Sequence, residues 1–114
     1  MENCIFCKII AGEIPSDILY QDEKVIAFKD IKPVAPVHVL LVPKEHIENI
    51  YELNDSNAHV LLDIHRVMKK IVKDMGLEDK GFRLITNCGS DAGQTVPHLH
   101  FHLIGGKNLG MSII

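Results

Sequence analysis

The sequence predicts an α+β fold: a five-stranded antiparallel sheet with one long helix and a short N-terminal helix. Two observations predict it. Short runs of β-branched, aliphatic or alternating residues dominate the chain, and one longer stretch carries apolar residues at helical spacing, enough to cover a sheet face. No internal repeat, low-complexity segment or linker divides the chain, because Gly and Pro occur singly between patterned runs. Its 114 residues have the size of one domain, residues 1–114, with a single core.

Each element has its own signal. Cys4 to Ala11 is short and apolar with Gly12 as a C-terminal stop, so it reads as a brief helix. Ile18 to Gln21 and Val25 to Lys29 flank Asp22-Glu23 and read as a two-stranded hairpin. His38 to Val42 lies between Pro36 and Pro43, is rich in β-branched and aliphatic residues, and is too short for a typical helix; it reads as a buried strand. Val60, Leu61, Ile64, Val67, Met68, Ile71, Val72 and Met75 recur at three- and four-residue steps, one face of an amphipathic helix. Asn54, Asp55 or Ser56 can cap its start by accepting an unpaired backbone N–H, and Gly76 can take the left-handed conformation that ends it. Phe82 to Asn87 and His98 to Ile104 are the last two strands, joined by a long loop from Cys88 to Pro97.

Composition narrows the function. Hydrophobic residues at 46% and charged residues at 24% are too apolar a mixture for disorder. Net charge is −3 and the twelve Lys and Arg residues are scattered, so there is no phosphate-backbone footprint and nucleic acid is not an expected partner. Val37 to Val42, the longest apolar stretch, is interrupted by His38 and far too short for a membrane span, while the Met-Glu-Asn start lacks a secretion signal; the expected location is the cytoplasm, with no membrane partner. Cys4 and Cys7 form a C-x-x-C pair, which in an intracellular chain points to metal or redox chemistry before a structural disulfide. Two reduced thiols remain the plain alternative. Cys88 reads as a small, partly buried residue, and His59 and His65 of the long helix as surface residues.

The segment His98-Leu99-His100-Phe101-His102-Leu103 alternates without a break. A strand sends successive side chains to opposite faces, so the imidazoles share one face while Leu99, Phe101 and Leu103 enter the core. Same-face neighbours lie ~7 Å apart, a spacing that one phosphate group can bridge. Three imidazoles are also a known zinc set, which leaves open a metal-dependent hydrolase with His98, His100 and His102 as ligands. In the preceding loop, Gly89 and Gly93 let backbone N–H groups approach an anion, and Ser90, Gln94 and Thr95 add neutral hydrogen-bonding groups.

These residues also resemble a known family. The histidine segment is similar to the signature of the histidine triad family, and Asn87 through Thr95 resemble the phosphate loop that precedes it. Cys4 to Ile10, Phe28 to Ile31 and His38 to Ile47 resemble successive blocks of its Hint-like, nucleotide-binding branch, so the likeness spans nearly the whole chain. The resemblance implies a homodimer whose two sheets join into one, with a purine nucleotide such as AMP at each site. It implies a base and ribose pocket from Ile5, Phe6, Ile9, Phe28 and Ile31, with Asp30 accepting from ribose hydroxyls, and phosphate contacts from Asn87, Gly93, Gln94, Thr95, His100 and His102.

The implied activity is hydrolysis of nucleoside 5′-phosphoramidates, or related nucleoside phosphate derivatives, at the α-phosphorus through a nucleotidyl-histidine intermediate on His100. His102 and loop amides would hold the non-bridging oxygens, Thr95 would pass a proton to the leaving amine, and His38 would support the triad from the neighbouring strand. Attack requires the other ring nitrogen of His100 to donate to a fixed partner, and a backbone carbonyl is expected. Dinucleoside polyphosphate hydrolysis, or nucleotide binding by an interaction protein with incidental hydrolysis, are the alternatives. His102 stands where the nucleotidyltransferase branch carries Gln, Thr95 where the Hint-like pattern usually has Ser, and the tail from Gly105 to Ile114 lacks a Trp-Pro ending. For the C-x-x-C, the resemblance implies a structural zinc ion held by Cys4, Cys7, His46 and His98, with no open coordination position.

Overall fold

A computed structural model describes residues 3–112; residues 1 and 2, and 113 and 114 at the end of the tail, belong to the expected domain but lie outside the described residues. Helix α1 (Ile5–Ile10) is capped by Cys4, whose Sγ accepts from the Cys7 N–H at 3.3 Å. Strands β1 (Ile18–Gln21) and β2 (Val25–Lys29) form the hairpin, closed by Asp22, whose Oδ1 accepts from the N–H groups of Lys24 and Val25. Strand β3 (Val37–Pro43), helix α2 (Val60–Asp74), and strands β4 (Phe82–Ile85) and β5 (Phe101–Gly105) follow. The strands form one antiparallel sheet in the order β1-β2-β3-β5-β4. This is the expected α+β architecture.

Two separate cores hold it together. Alternate residues Val25, Ala27, Val39, Leu41, Phe101 and Leu103 pack against Ile64, Val67, Met68 and Ile71 of α2. The intervening Ile26, Phe28, Leu40 and Val42 pack on the opposite face against Phe6 and Ile9 of α1. Being covered on both faces makes residues 25–28 of β2 and 39–43 of β3 read as unbroken apolar runs. Burial of each such side chain contributes ~1.5–3 kcal/mol. Helix α2 blankets one face; the short α1 covers only part of the other and leaves the polar ends of β3 and β5 to a site.

Three boundaries differ from expectation by two residues or more. Asn54 caps a lead-in turn, accepting from the Ser56 N–H while Asn57 Oδ1 accepts from the Asn54 N–H, but α2 itself starts after His59, which makes no side-chain cap. Its C-terminus behaves as expected, with Gly76 at φ 70°. Strand β4 stops at Ile85 instead of Asn87, because the Thr86 hydroxyl donates to the His100 carbonyl at 2.8 Å and a side chain takes over from the ladder. Strand β5 begins at Phe101, not His98. Next to it Pro43 has no N–H to give, and the Leu99 N–H goes to the Ile47 carbonyl at 2.6 Å.

Among the described residues no helix is long and apolar enough to cross a membrane. Leu41, fully buried between β2, β5 and α2, is the test of the larger core. Leu41→Ala should lower the unfolding free energy by about 3 kcal/mol, read from the urea midpoint at unchanged slope. A loss below about 1 kcal/mol would contradict this packing.

Candidate functional site

His98, Leu99 and His100 precede β5 instead of lying in it, yet the alternation persists: Leu99, Phe101 and Leu103 all enter the α2 core. The three imidazoles therefore leave on the opposite side, but they do not form a solvent-facing row. His98 is 0% exposed and His100 8% exposed, under the ring of Phe6, which meets them edge-on with centroids 5.9 and 5.0 Å away. Only His102 sits in the ladder, opposite Leu40 and Ile85. The rings of His100 and His102 are 5.3 Å apart between centroids, closer than an ideal strand spacing.

Hydrogen bonds to backbone carbonyls assign the His98 and His100 rings a tautomer. His98 Nε2–H donates to the Pro43 carbonyl at 2.8 Å, which leaves the Nδ1 lone pair facing Cys4 and Cys7. His100 Nδ1–H donates to the His98 carbonyl at 2.7 Å, which leaves the lone pair on Nε2. Burial lowers the pKa of both groups below the ordinary histidine value; His98 is pushed down to about 4, with neighbouring His46 and His100 adding to the effect. His100 is thus a neutral, oriented imidazole with one free electron pair.

A second chain of bonds reaches His102. The Val34 N–H donates to His38 Nδ1 at 3.1 Å, so the His38 proton sits on Nε2, 2.9 Å from His102 Nδ1. When that proton is donated to His102 Nδ1, His102 is the Nε2–H tautomer, a donor toward the space beside His100. Burial, then the neighbouring His100 and His38, lower the His102 pKa. Asp30, just past β2 and paired to β3 through its N–H to the His38 carbonyl, places Oδ2 3.3 Å from His38 Nε2 and 4.0 Å from His102 Nδ1.

Among the described residues, two groups of side chains have metal-ligating composition: Cys4, Cys7, His46 and His98, and Asp30, His38 and His102. The first fits a metal. Cys7 Sγ lies 3.2 Å from His46 Nδ1 and 3.5 Å from His98 Nδ1, and Cys4 Sγ 3.3 Å from His98 Nδ1. Sulfur and nitrogen donors of a tetrahedral zinc ion stand about 3.5 Å apart, and the Pro43 carbonyl holds His98 in the ligating tautomer. The second group does not fit as it stands, because the Val34 N–H forces the His38 proton onto the nitrogen that would have to ligate. In the metal-free protein, burial and then the adjacent Cys4 push the Cys7 pKa up to about 11, so an ion must displace a proton there.

The glycine loop departs from its expected use. Gly89 (φ 84°) and Gly93 (φ 86°) have the left-handed backbone that favours glycine, but their N–H groups are engaged inside the loop, by Gln94 Oε1 at 2.9 Å and the Ser90 carbonyl at 3.0 Å. Gln94 Nε2 in turn donates to the carbonyls of Glu48 and Val96, so its carboxamide braces the loop. Thr95 is exposed and Asn87 half-buried. Of the apolar set, Phe6, Ile9 and Phe28 are buried in the α1 core, while Ile5 is 45% and Ile31 92% exposed. Cys88 is exposed, contrary to expectation, since it lies beyond the end of β4 where no element covers it. His59 and His65 are exposed, though only His65 lies within the helix.

The contributors that residue patterns did not single out are mostly backbone atoms: the carbonyls of Pro43 and His98 and the Val34 N–H. Thr86 is the side-chain omission, and its place between a strand and the glycine loop is the one signal it carries. A cleft of about 730 Å³ bordered by Leu77, Lys80, Phe82, Arg83 and Lys107 shares no residue with these clusters, so hydrogen-bond chemistry, not concavity, locates the site.

Comparison with known proteins agrees with the fold. A family model described as scavenger mRNA decapping enzyme C-term binding matches residues 3–112. The purine nucleoside phosphoramidase of Escherichia coli K12 is 44% identical over 96% of this chain and 92% of its own length. A solved HIT family hydrolase from Clostridium thermocellum is 60% identical with a TM-score of 0.97, covering 100% of this chain and 99% of its own. A histidine triad nucleotide-binding protein from Candida albicans is 40% identical with a TM-score of 0.86, over 98% of this chain and 83% of its own.

The buried neutral His98 makes stability depend on pH. Its folded pKa of about 4 lies below the unfolded value of ~6.5, so between those values the unfolded chain binds the extra proton. The Tm of the metal-free protein should fall as pH drops from 6.5 to 4. A flat Tm across that window would contradict the neutral, buried ring.

Proposed function

The chain belongs to the histidine triad (HIT) family, and on that premise we propose that it cleaves nucleoside 5′-phosphoramidates, or related nucleoside phosphate derivatives, at the α-phosphorus through a nucleotidyl-His100 intermediate. The observation that carries it is the His100 Nδ1–H bond to the His98 carbonyl at 2.7 Å, which leaves Nε2 as a fixed lone pair. Nε2 attacks phosphorus, the bond to the leaving group breaks, and the departing amine takes a proton, for which the Thr95 hydroxyl is the proposed carrier. Water then attacks the phosphorus of the adduct, the phosphorus–nitrogen bond to His100 breaks, and the nucleoside monophosphate leaves. His102, donating through Nε2–H, stabilises charge on the non-bridging oxygens, with His38 holding its tautomer.

A purine nucleotide is the proposed ligand. Asp30 accepts from the ribose hydroxyls, the exposed Ile5 and Ile31 bracket the base, and Phe6, Ile9 and Phe28 form the apolar floor. Asn87, Gly93 and Gln94 belong to the phosphate side, the last two by shaping the loop. Cys4, Cys7, His46 and His98 hold a structural zinc ion, which supplies a cross-link between α1 and the histidine segment. A homodimer is also proposed: β4 is an outer edge of the sheet and exposes Phe82 and Leu84, so a second copy pairing there would continue the sheet.

Adenosine 5′-phosphoramidate should yield AMP, and His100→Ala should lower turnover at least ~10³-fold while AMP still binds. Mass spectrometry of quenched wild-type reactions should find the nucleotidyl adduct on His100; an adduct elsewhere, or equal turnover by wild type and variant, would reject the nucleophile. The acid limb of kcat/KM should lie below pH 6.5, because the nucleophile is the neutral ring and its folded pKa is lowered by burial. For the metal, one equivalent of Zn(II) should raise the Tm and protect Cys4 and Cys7 from alkylation while the exposed Cys88 still reacts. Equal reactivity of all three thiols with zinc present would reject the site.

A further inference from the structure

The single proton on His38 Nε2 has two acceptors within reach. His102 Nδ1 is 2.9 Å away and Asp30 Oδ2 3.3 Å away, while the Val34 N–H keeps that proton from moving to Nδ1. The carboxylate cannot easily turn aside, since its Oδ1 is held by the Lys32 N–H at 2.8 Å. We propose that Asp30 couples ribose recognition to the phosphate site: in the free protein its Oδ2 competes with His102 Nδ1 for the His38 proton, and ribose hydroxyls donating to that oxygen leave the proton to His102.

The coupling rests on the proposed nucleotide site and adds a consequence to it. A carboxylate is the stronger acceptor of the two, being charged. When it draws the His38 donor, His102 Nδ1 loses its partner, and a proton on Nδ1 can face Oδ2 4.0 Å away. That tautomer turns the Nε2 lone pair toward the phosphate oxygens, which repels them. Engaging Oδ2 with hydroxyl donors removes the competitor, so His38 donates to His102 and His102 Nε2–H points at the phosphate. Only a proton's acceptor changes; no covalent bond between heavy atoms is made or broken. Asp30 is accordingly a positioning residue, whose effect on the chemical step passes through His38 and His102.

Single-turnover rates at saturation separate this from simple ribose binding. Adenosine and 2′,3′-dideoxyadenosine 5′-phosphoramidates should differ about tenfold or more in that rate with wild type, the scale of one charge-assisted hydrogen bond, besides any difference in half-saturation. In Asp30→Ala the competitor is gone for both substrates, so the two rates should converge, with the dideoxy rate rising above its wild-type value. Asp30→Asn, which keeps the shape without the charge, should fall between. Equal saturated rates for the two substrates in wild type, or a lower dideoxy rate in Asp30→Ala, overturns the coupling while leaving hydrolysis itself established. Nitrogen-15 NMR of wild type gives a readout independent of turnover: AMP should hold His102 as the Nε2–H tautomer, and 2′,3′-dideoxy-AMP should leave it as in the free protein. The same tautomer with both nucleotides also overturns the coupling.

Discussion

The site depends on one residue bonded in three directions. His98 donates from Nε2 to the Pro43 carbonyl, turns Nδ1 to the thiols of Cys4 and Cys7, and offers its own carbonyl to His100 Nδ1–H. The ring joins α1 to the end of β3, and the carbonyl orients the imidazole of His100, the proposed nucleophile. Because the ring is fully buried, neither polar edge can turn to water, and any movement of one bond must disturb the others. The position of His100 is thereby tied to the integrity of the cysteine cluster on the same peptide. Phe6 tightens the arrangement by packing edge-on against both rings.

The two histidine clusters show how similar side chains acquire opposite chemistry. In one, a carbonyl accepts the His98 ring proton and a lone pair is left facing two sulfurs, which suits a soft cation. In the other, a backbone N–H donates to His38, and a proton is left facing His102 and Asp30, which suits a proton-donating relay. The distinction lies in the backbone group behind each ring. It separates a cluster that could hold a metal ion from one that can pass a proton, within a few residues of the same sheet.

Much of the architecture was legible from patterning. The i, i+3, i+4 apolar stripe of α2 and the runs of β1, β2 and β3 correspond to elements within a residue or two of their expected bounds. The misses at the last two strands have a common cause. The last strand looked three residues longer because alternation of inward and outward side chains survives from Leu99 to Leu103, and alternation reports an extended chain, not a hydrogen-bonded ladder. Ladder bonds depend on what lies alongside. Next to this segment lie a proline without an N–H and a threonine hydroxyl that takes the His100 carbonyl. Cys88 departs for a different reason: unpaired cysteines are commonly buried, but this one stands in the loop beyond β4, where its thiol lies in the open.

The amino-acid order by itself determined the α+β class, the sheet-covering helix, and the chemical inventory of the site: histidines alternating with core residues, a C-x-x-C pair and a glycine loop. These are local facts, set by period, propensity and side-chain type. Only the tertiary structure decided that Cys4 and Cys7 meet His46 and His98, that His100 takes its partner from the carbonyl two residues earlier, and that Gln94 braces a loop instead of pointing from it. Tautomers and metal-ligand contacts follow from which buried groups share a few ångströms after the chain closes on itself. Main-chain carbonyls and N–H groups, present at nearly every position, do that selecting, and their identity leaves no mark in a string of side chains.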